Sequence, residues 1–290
     1  MSFATPASAV RRQDRHVHIV DELIAERAPK LAGSPAWPLL RPLLYAILDY
    51  AKARRMADAI APMGGRAALD FVSDLLALQV SAEGLENLPR AGRCVVVCNH
   101  PTGIADGVAV FDALKALRPD ICFYANADAH RVSPRFGEVL IPVEWVEAKR
   151  TRERTRTTLV QTREAMEAGR CLAIFPAGKL ARRMPDGTLA DPEWMPSAVA
   201  LARKYEAPLL PIHVAGPWST LFHLFNDVSP ELRDITLFHE LLNKRGRPFR
   251  LTAGPLVAPQ ALDGDPAQVT ARLKAYVERD LPADRHRAFA

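Results

Sequence analysis

The chain has 290 residues, 49% of them hydrophobic and 24% charged, and its 38 Lys and Arg against 33 Asp and Glu leave a net charge of +5. This composition is that of an ordinary globular protein, and the length favours one main domain with attachments over two equal halves. No uncharged apolar run approaches the about 18 residues that a spanning helix needs, and charges throughout residues 1–30 argue against a secretory signal. The basic excess favours anionic partners, such as lipid headgroups, a phosphorylated co-substrate or an acidic carrier protein.

Residues 1–62 are predicted to form a tail and amphipathic helices, with three arginines in the tail, Arg11, Arg12 and Arg15. From Trp37 onward, apolar residues recur at the three- and four-residue spacing of one helical face. They are Leu39, Leu40, Leu43, Leu44, Ile47, Leu48 and Ala51. Two interpretations remain open. The helix packs on the main domain, or it lies in a membrane interface with the nearby arginines, Arg54 and Arg55, as its basic flank.

After Val80 the pattern alternates between short β-branched runs and longer helical segments. Strands are predicted over residues 94–98, 121–125, 139–143, 171–175, 208–214 and 249–253. Helices are predicted over residues 65–79, 107–117, 151–168 and 196–205. The third of these helices is expected to bury Leu159, Ala165 and Met166. The alternation predicts an α/β fold, in which a layered, mixed β-sheet is flanked by helices and carries the N-terminal amphipathic segment.

The main domain is expected to span residues 63–262, and residues 263–290 are expected to form a C-terminal helix packed on it. Asp265 precedes Pro266 at the start of that helix, which is the pattern of an N-cap followed by a proline in the first turn. Its apolar face is formed by Val269, Leu273, Tyr276 and Val277.

The cysteines, Cys94, Cys98, Cys122 and Cys171, lie in apolar, strand-like runs and form neither a CxxC pair nor a ligand cluster with histidine. We therefore expect reduced core cysteines in a cytoplasmic protein with no metal. The remaining histidines are interpreted as structural or solvated, namely His16, His18, His213, His223 and His239. Nucleic-acid binding is not predicted, because the arginines are not interleaved with aromatic residues.

The strand at 94–98 ends abruptly in Asn99-His100-Pro101, and Asp106 follows six residues after His100. The carboxyl end of a strand in an open α/β sheet is where ligands bind. A histidine with a nearby carboxylate suits a general base that an acidic partner holds in one tautomer. The alternative is a His-Pro turn followed by a helix-capping aspartate.

Two other strand ends carry charged or glycine-containing segments. Arg131 and Arg135 precede the strand at 139–143, and Pro176-Ala177-Gly178-Lys179 follows the strand at 171–175. If these ends share one crevice with His100, a base faces a group of cations. That arrangement suits a nucleophile carried beside an anionic group.

The pattern Asn-His-Pro-x-x-x-x-Asp-Gly at 99–107, Phe-Pro-x-Gly at 175–178 and Leu-Pro-Ile-His at 210–213 resembles the glycerolipid acyltransferase superfamily. It is most similar to the hemolysin-like branch, which includes the lyso-ornithine-lipid acyltransferases, and the segment 239–251 is similar to that branch as well. The resemblance covers about residues 80–258.

The chain also departs from the superfamily pattern. Five residues separate His100 from Asp106, where four are usual. Ala177 stands in place of a glutamate, and Lys179 and Leu180 stand where a Thr or Ser and an Arg are frequent.

The resemblance implies that a fatty acyl group passes from a thioester to the hydroxyl of a lysolipid without a cofactor. His100 is then the general base and Asp106 its orienting partner. The expected substrate-binding residues are Asn99, Gly103, Arg131, Arg135, Pro176, Gly178 and Lys179. Backbone N–H groups near Gly103 or Gly178 are candidates for stabilising the oxyanion. No Ser or Cys lies directly beside His100, the nearest being Cys98 and Ser133, so no acyl-enzyme is expected.

The donor is expected to be acyl-CoA or an acyl carrier protein, used as a co-substrate. A basic patch is a candidate for binding its phosphate or acidic surface, and it comprises Lys149, Arg150, Arg152, Arg154 and Arg156. A solvated helix face is the alternative for this patch. Two other functions also remain open. One is a module that binds a lipid or a partner without chemistry, which Ala177 and the longer His–Asp spacing favour. The other is a thioester hydrolase.

Overall fold

A computed structural model describes residues 17–144, 150–184 and 187–290. Within these residues, seven strands form one sheet in the order β1-β9-β8-β2-β5-β3-β4. The strands of this sheet are β1 (Gln79–Glu83), β2 (Cys94–Cys98), β3 (Cys122–Asn126), β4 (Leu140–Val143), β5 (Cys171–Ile174), β8 (Leu209–Ala215) and β9 (Pro248–Ala253). A separate antiparallel hairpin pairs β6 (Arg182–Arg183) with β7 (Leu189–Ala190).

The sheet is mixed, as predicted. The five strands β8, β2, β5, β3 and β4 are parallel to one another, whereas β9 runs antiparallel to β8 and parallel to β1. The carboxyl ends of those five parallel strands therefore meet at one edge of the sheet, which we call the carboxyl edge.

Helices cover both faces of the sheet. They are α1 (Ile19–Arg27), α2 (Pro29–Ala32), α3 (Trp37–Ile47), α4 (Tyr50–Ile60), α5 (Gly65–Leu76), α6 (Ile104–Leu114), α7 (Asp128–Val132), α8 (Arg152–Glu167), α9 (Ser197–Lys204), α10 (Thr220–Val228), α11 (Pro230–Asp234), α12 (Leu237–Leu242), α13 (Pro266–Ala275) and α14 (Leu281–Ala283). Single 3₁₀ turns occur at Leu85–Asn87, Pro134–Glu138 and Pro259–Leu262, and a π-helical turn, Tyr276–Asp280, joins α13 to α14.

The central strand β2 is buried on both faces, which explains its uninterrupted apolar sequence. Val96 packs into the cluster that contains residues of α4, α5 and α6, whereas Val95 and Val97 pack into the cluster that contains residues of α9 and α13. All four cysteines are buried and unpaired in these two clusters. The predicted start of the C-terminal helix is also observed, because the Asp265 carboxylate accepts the N–H of Gln268.

Several elements differ from the prediction. The helix predicted over 65–79 ends at Leu76, because Ala77 takes a left-handed conformation with φ of 44°, and the chain continues into β1. Leu159 was expected to be buried but is 61% exposed on α8, whereas Ala165 and Met166 are buried. The short helices of residues 220–242 and the β6–β7 hairpin were not predicted.

The stripe that begins at Trp37 is divided between two helices. Asp49 separates α3 from α4 with a left-handed φ of 55°, and its carboxylate contacts His239 Nδ1 of α12 at 3.0 Å. Leu44 and Leu48 face the protein, but the other side of α3 is exposed. No helix in the described residues is long and apolar enough to cross a bilayer. The tail arginines predicted at Arg11, Arg12 and Arg15, as well as His16 and Lys149, lie outside the described residues.

Candidate active site

The predicted base and its partner meet in the loop that joins β2 to α6. Since β2 ends at Cys98 and α6 begins at Ile104, His100 lies at the carboxyl edge and Asp106 lies in the first helical turn. His100 Nδ1 and Asp106 Oδ2 are 2.9 Å apart. The additional residue between the two side chains therefore does not prevent their contact.

The Asp106 carboxylate is completely buried and accepts hydrogen bonds from its own loop as well as from the imidazole. The N–H groups of Thr102 and Gly103 donate to Oδ2 at 2.9 and 3.0 Å, and the Thr102 hydroxyl donates to Oδ1 at 2.6 Å. Gly103 adopts φ of +97°, and a Cβ there would lie 3.2 Å from the Leu180 side chain, so the turn requires glycine. The fixed carboxylate faces Nδ1, which assigns the ring proton to Nδ1 and leaves Nε2 to accept a proton.

The imidazole packs against Phe175, with ring centroids 4.6 Å apart, and its side chain remains 17% exposed. Both peptide groups of His100 are held by the β6–β7 hairpin. The His100 N–H donates to the two oxygens of Asp191 at 3.0 and 3.1 Å, and the His100 carbonyl accepts the Ala181 N–H at 2.9 Å. Asp191 was not among the predicted site residues, because an acidic residue in the stretch Ala-Asp-Pro-Glu-Trp carries no signal of contact with His100.

Among the other predicted residues of this loop and its neighbour, Asn99, Gly103 and Gly178 have their side-chain amide or backbone N–H groups bonded within the protein. The Asn99 amide is engaged by the backbone of Val214 in β8, with contacts of 3.0 and 2.7 Å. The Gly178 N–H donates to the Phe175 carbonyl, and the Pro176 carbonyl accepts the Met195 N–H. The N–H groups of Gly103 and Gly178 are thus already bonded, which argues against their predicted use as oxyanion donors. Lys179 is exposed.

The two arginines predicted to face His100 are engaged elsewhere. Arg131 extends from α7 to α1, where it pairs with Glu26 at 2.8 Å and with Glu22 at 3.1 Å. Arg135 pairs with Glu138 at 2.8 Å, and the Glu138 carboxylate also accepts the N–H of Gly65 at the start of α5. The segment carrying Arg135 leads back to the amino end of β4, which is the edge of the sheet opposite His100.

Arg182 is a cation adjacent to the His100 loop, since it directly follows Ala181, whose N–H donates to the His100 carbonyl. Its guanidinium is partly buried 5.4 Å above the Phe222 ring, and Nη1 has no hydrogen-bond partner among the described residues. Burial and the nearby Arg233 lower the pKa of Arg182, whereas Asp234 acts in the opposite direction. Burial also lowers the pKa of the neighbouring His223, and Arg182 contributes to that effect. With Nη1 unpartnered among the described residues and Arg233 nearby, Arg182 is a candidate contact for an anion.

The possible nucleophiles named from the sequence are withdrawn from solvent. Cys98 and Ser133 are both fully buried. Burial, together with the charges of Asp106 and Asp191, raises the pKa of the Cys98 thiol well above its ordinary value. A protonated, buried thiol is a poor nucleophile, so Cys98 is not placed to attack a substrate.

Residues 79–215, which include the His100 loop and Asp191, match the family model described as Acyltransferase. A lyso-glycine lipid O-acyltransferase from Phocaeicola vulgatus is 27% identical over 205 residues, covering 67% of this chain and 70% of that protein. A lyso-glycine lipid O-acyltransferase from Bacteroides thetaiotaomicron is 24% identical over 217 residues, covering 72% and 78%. The crystal structure of the 1-acyl-sn-glycerophosphate (LPA) acyltransferase PlsC from Thermotoga maritima aligns with a TM-score of 0.48 at 17% identity, covering 93% of this chain and 98% of that one. Over residues 79–215 the chain is thus similar to the Acyltransferase family, and over 67–72% of its length it is similar to the two lyso-glycine lipid O-acyltransferases.

Proposed function

We propose that this acyltransferase moves a fatty acyl group from an acyl thioester to the hydroxyl of a lysolipid, with His100 as the general base. The observation that carries the proposal is the 2.9 Å contact between His100 Nδ1 and the buried Asp106 carboxylate. It leaves Nε2, in a partly exposed ring at the carboxyl edge, as the atom that can take a proton. The names of the two bacterial relatives support a lysolipid as the acceptor.

The reaction needs one proton to move twice. As the acceptor oxygen attacks the thioester carbonyl, its proton passes to His100 Nε2, and Asp106 stabilises the resulting imidazolium. When the carbon–sulfur bond breaks, the imidazolium returns that proton to the leaving thiolate, so that an ester and a free thiol are formed. General base catalysis of this kind contributes about 10² to 10⁴ in rate.

One assay separates this proposal from hydrolysis and from binding without chemistry. The purified protein is given a thioester and a lysolipid, and free thiol and acylated lipid are measured together. Transfer predicts equal amounts of both products, hydrolysis predicts thiol alone, and a binding module predicts neither. Running the assay with acyl-CoA and with an acyl carrier protein identifies the donor.

An anionic donor is supported by exposed arginines at the start of α8. Arg150, Arg152 and Arg156 line an open groove together with Leu159, while Arg154 pairs with Glu144 at 2.7 Å. Because α8 begins after β4, this groove lies on the side of the carboxyl edge, where the thioester must reach His100.

We further propose that the acceptor has an anionic headgroup that contacts Arg182. Arg182→Gln is expected to raise the KM for such an acceptor by about ten- to hundredfold, because a charge-assisted hydrogen bond contributes about 1.5–3 kcal/mol. Loss of uniform binding should leave kcat nearly unchanged. Initial rates against acceptor concentration provide the measurement, with Arg131→Gln, Arg135→Gln and Lys179→Gln for comparison. An unchanged KM in Arg182→Gln would remove this residue from the headgroup site.

We also propose peripheral attachment to the cytoplasmic face of a membrane through the exposed side of α3. Leu39 and Leu43 are 83% and 59% exposed, and Leu40 and Ile47 are 40% and 41% exposed. The opposite side of α3 is attached to the protein, since the Tyr45 hydroxyl donates to Asp21 of α1 at 2.7 Å. An exposed apolar stripe on an anchored helix is suited to insertion at the headgroup level of a bilayer.

Leu43→Asp is therefore expected to weaken binding to both neutral and anionic vesicles, as measured by sedimentation. Replacing the flanking arginines, Arg54→Glu with Arg55→Glu, should weaken binding to anionic vesicles only, and salt should have the same effect, since charges are screened over about 10 Å at 0.1 M. Leu159→Asp is a matched control, because Leu159 is similarly exposed on a different helix. Equal binding of Leu43→Asp and wild type would contradict attachment through α3.

A further inference from the structure

Both the N–H and the carbonyl of His100 are hydrogen-bonded to residues that flank the β6–β7 hairpin, and the proposed mechanism does not use these bonds. Ala181, just before β6, donates its N–H to the His100 carbonyl, and Asp191, just after β7, accepts the His100 N–H. His100 therefore contacts two carboxylates: Asp106 bonds to its imidazole ring, and Asp191 bonds to its backbone N–H.

Asp191 is only 6% exposed and is itself held in place. The indole N–H of Trp194 donates to Asp191 Oδ2 at 2.8 Å. The Asp191 N–H donates to Glu278 Oε1 at 2.7 Å, and Glu278 Oε2 lies 2.6 Å from Lys274 Nζ. A chain of hydrogen bonds thus runs from the C-terminal helical segment through Asp191 to His100.

We propose that Asp191 is a positioning residue, whose ionised carboxylate fixes the backbone of His100 so that Nε2 faces the acceptor hydroxyl. The inference rests on the proposed function, since it assumes that His100 is the base. In Asp191→Asn the amide oxygen can still accept the N–H groups of His100 and Trp194 at the Oδ2 position, but the amide nitrogen at the Oδ1 position faces the His100 N–H, a donor against a donor, so the His100 loop shifts locally. A shift of about 1 Å in a catalytic group can lower the rate by about a hundredfold.

The groups around Asp191 have opposite effects on the pKa of its carboxyl group. Burial raises its pKa to about 6, and Glu278 adds to this increase, whereas the indole of Trp194 and the ring and N–H of His100 lower it. Three further groups surround this pair of carboxylates. Lys274 forms an ion pair with Glu278, and His213 also interacts electrostatically with Glu278. The Cys98 thiol interacts electrostatically with Asp191. The carboxylate is thus ionised near neutral pH and protonated below about pH 6.

The sign of the pH effect differs between stability and activity. Because the pKa of Asp191 is raised in the folded protein, its contribution to stability is greatest below the ordinary carboxyl pKa and is lost as the pH rises through 6. Activity requires the ionised form and so rises over the same interval. Asp191→Asn, which cannot ionise, should be no less stable than wild type at pH 8 although it is less active.

The test compares wild type with Asp191→Asn in kcat, KM and pH profile. We expect kcat to fall about 10- to 100-fold while the KM of donor and acceptor changes less than about twofold. The fall in log kcat that wild type shows as the pH drops through about 6 should be smaller in Asp191→Asn, since that variant has no carboxylate to protonate at this position. An unchanged kcat, or an unchanged fall of log kcat over this pH interval, would overturn the proposal.

Glu278→Gln supplies a second test, since it alters the next carboxylate in the chain without touching His100. A twofold to tenfold lower kcat with unchanged KM is expected, and wild-type kcat in this variant would refute the link to the C-terminal segment. Inactive His100→Ala beside fully active Asp191→Asn would overturn this inference alone. Active His100→Ala would instead overturn the proposed function on which it rests.

Discussion

His100→Ala is expected to lower the rate of acyl transfer by about 10² to 10⁴ while leaving the fold intact. The ring is partly exposed, and among the described residues its one side-chain hydrogen bond goes to Asp106, which keeps its bonds from Thr102 and Gly103 in the variant. Stability should therefore change little. The measurement is the initial rate with purified donor and acceptor, with circular dichroism to verify folding.

His239→Ala provides a matched control for this experiment. His239 also places Nδ1 at 3.0 Å from a carboxylate, that of Asp49, and its side-chain exposure of 16% is close to that of His100. It lies on α12 rather than in the β2–α6 loop, so His239→Ala should retain transfer. If His100→Ala kept near wild-type turnover, the proposed mechanism would be wrong.

Asp106→Ala is expected to lose both activity and stability, in contrast to His100→Ala. The N–H groups of Thr102 and Gly103 would be left buried without an acceptor, at a cost of about 1–3 kcal/mol for each group. The imidazole would also lose the partner that holds its tautomer, so that transfer should fall at least about a hundredfold, as for His100→Ala. Urea denaturation and initial rates measure the two effects separately.

Asp106→Asn separates the charge of this carboxylate from its hydrogen bonds. If the amide oxygen takes the place of Oδ2, it can still accept the N–H groups of Thr102 and Gly103 and the proton of His100 Nδ1. The amide nitrogen then faces the Thr102 hydroxyl, which can accept. The Asn variant should thus fold with near wild-type stability but transfer about 10- to 100-fold more slowly, because the imidazolium is no longer opposed by a negative charge. Equal stability of the Ala and wild-type proteins would contradict the role assigned to Asp106.

The sheet and the His100–Asp106 contact were predictable because their signals are local. A run of β-branched residues that stops at Asn99-His100-Pro101 indicates a buried strand and its end, and the two faces of β2 explain why the run is continuous. The His100–Asp106 contact follows from a short loop and a helix start, whose residues are neighbours in the sequence. Only the additional residue in the motif required the structure, which shows that Oδ2 still reaches Nδ1.

The errors arose where a side chain is controlled by distant residues. Arg131 forms ion pairs with Glu22 and Glu26, which lie more than a hundred positions earlier in the chain. Nothing in the segment around Arg131 indicates those partners. Leu159 lies on a helix with few apolar residues, so periodicity alone did not identify its buried face. Asp191 acquires its role only because the β6–β7 hairpin returns to the main chain of His100.

That return has a consequence for how the enzyme is made. The His100 N–H bonds to a residue 91 positions later, and that residue bonds to Glu278 a further 87 positions along the chain. Closing such long segments costs entropy and tends to come late in folding. A nascent chain that already carries His100 and Asp106 thus emerges from the ribosome with its His100 loop not yet held in place. We expect its activity toward cellular thioesters to reach the full level only when residue 278 has been synthesised and docked, which limits the use of activated fatty acids by incomplete translation products.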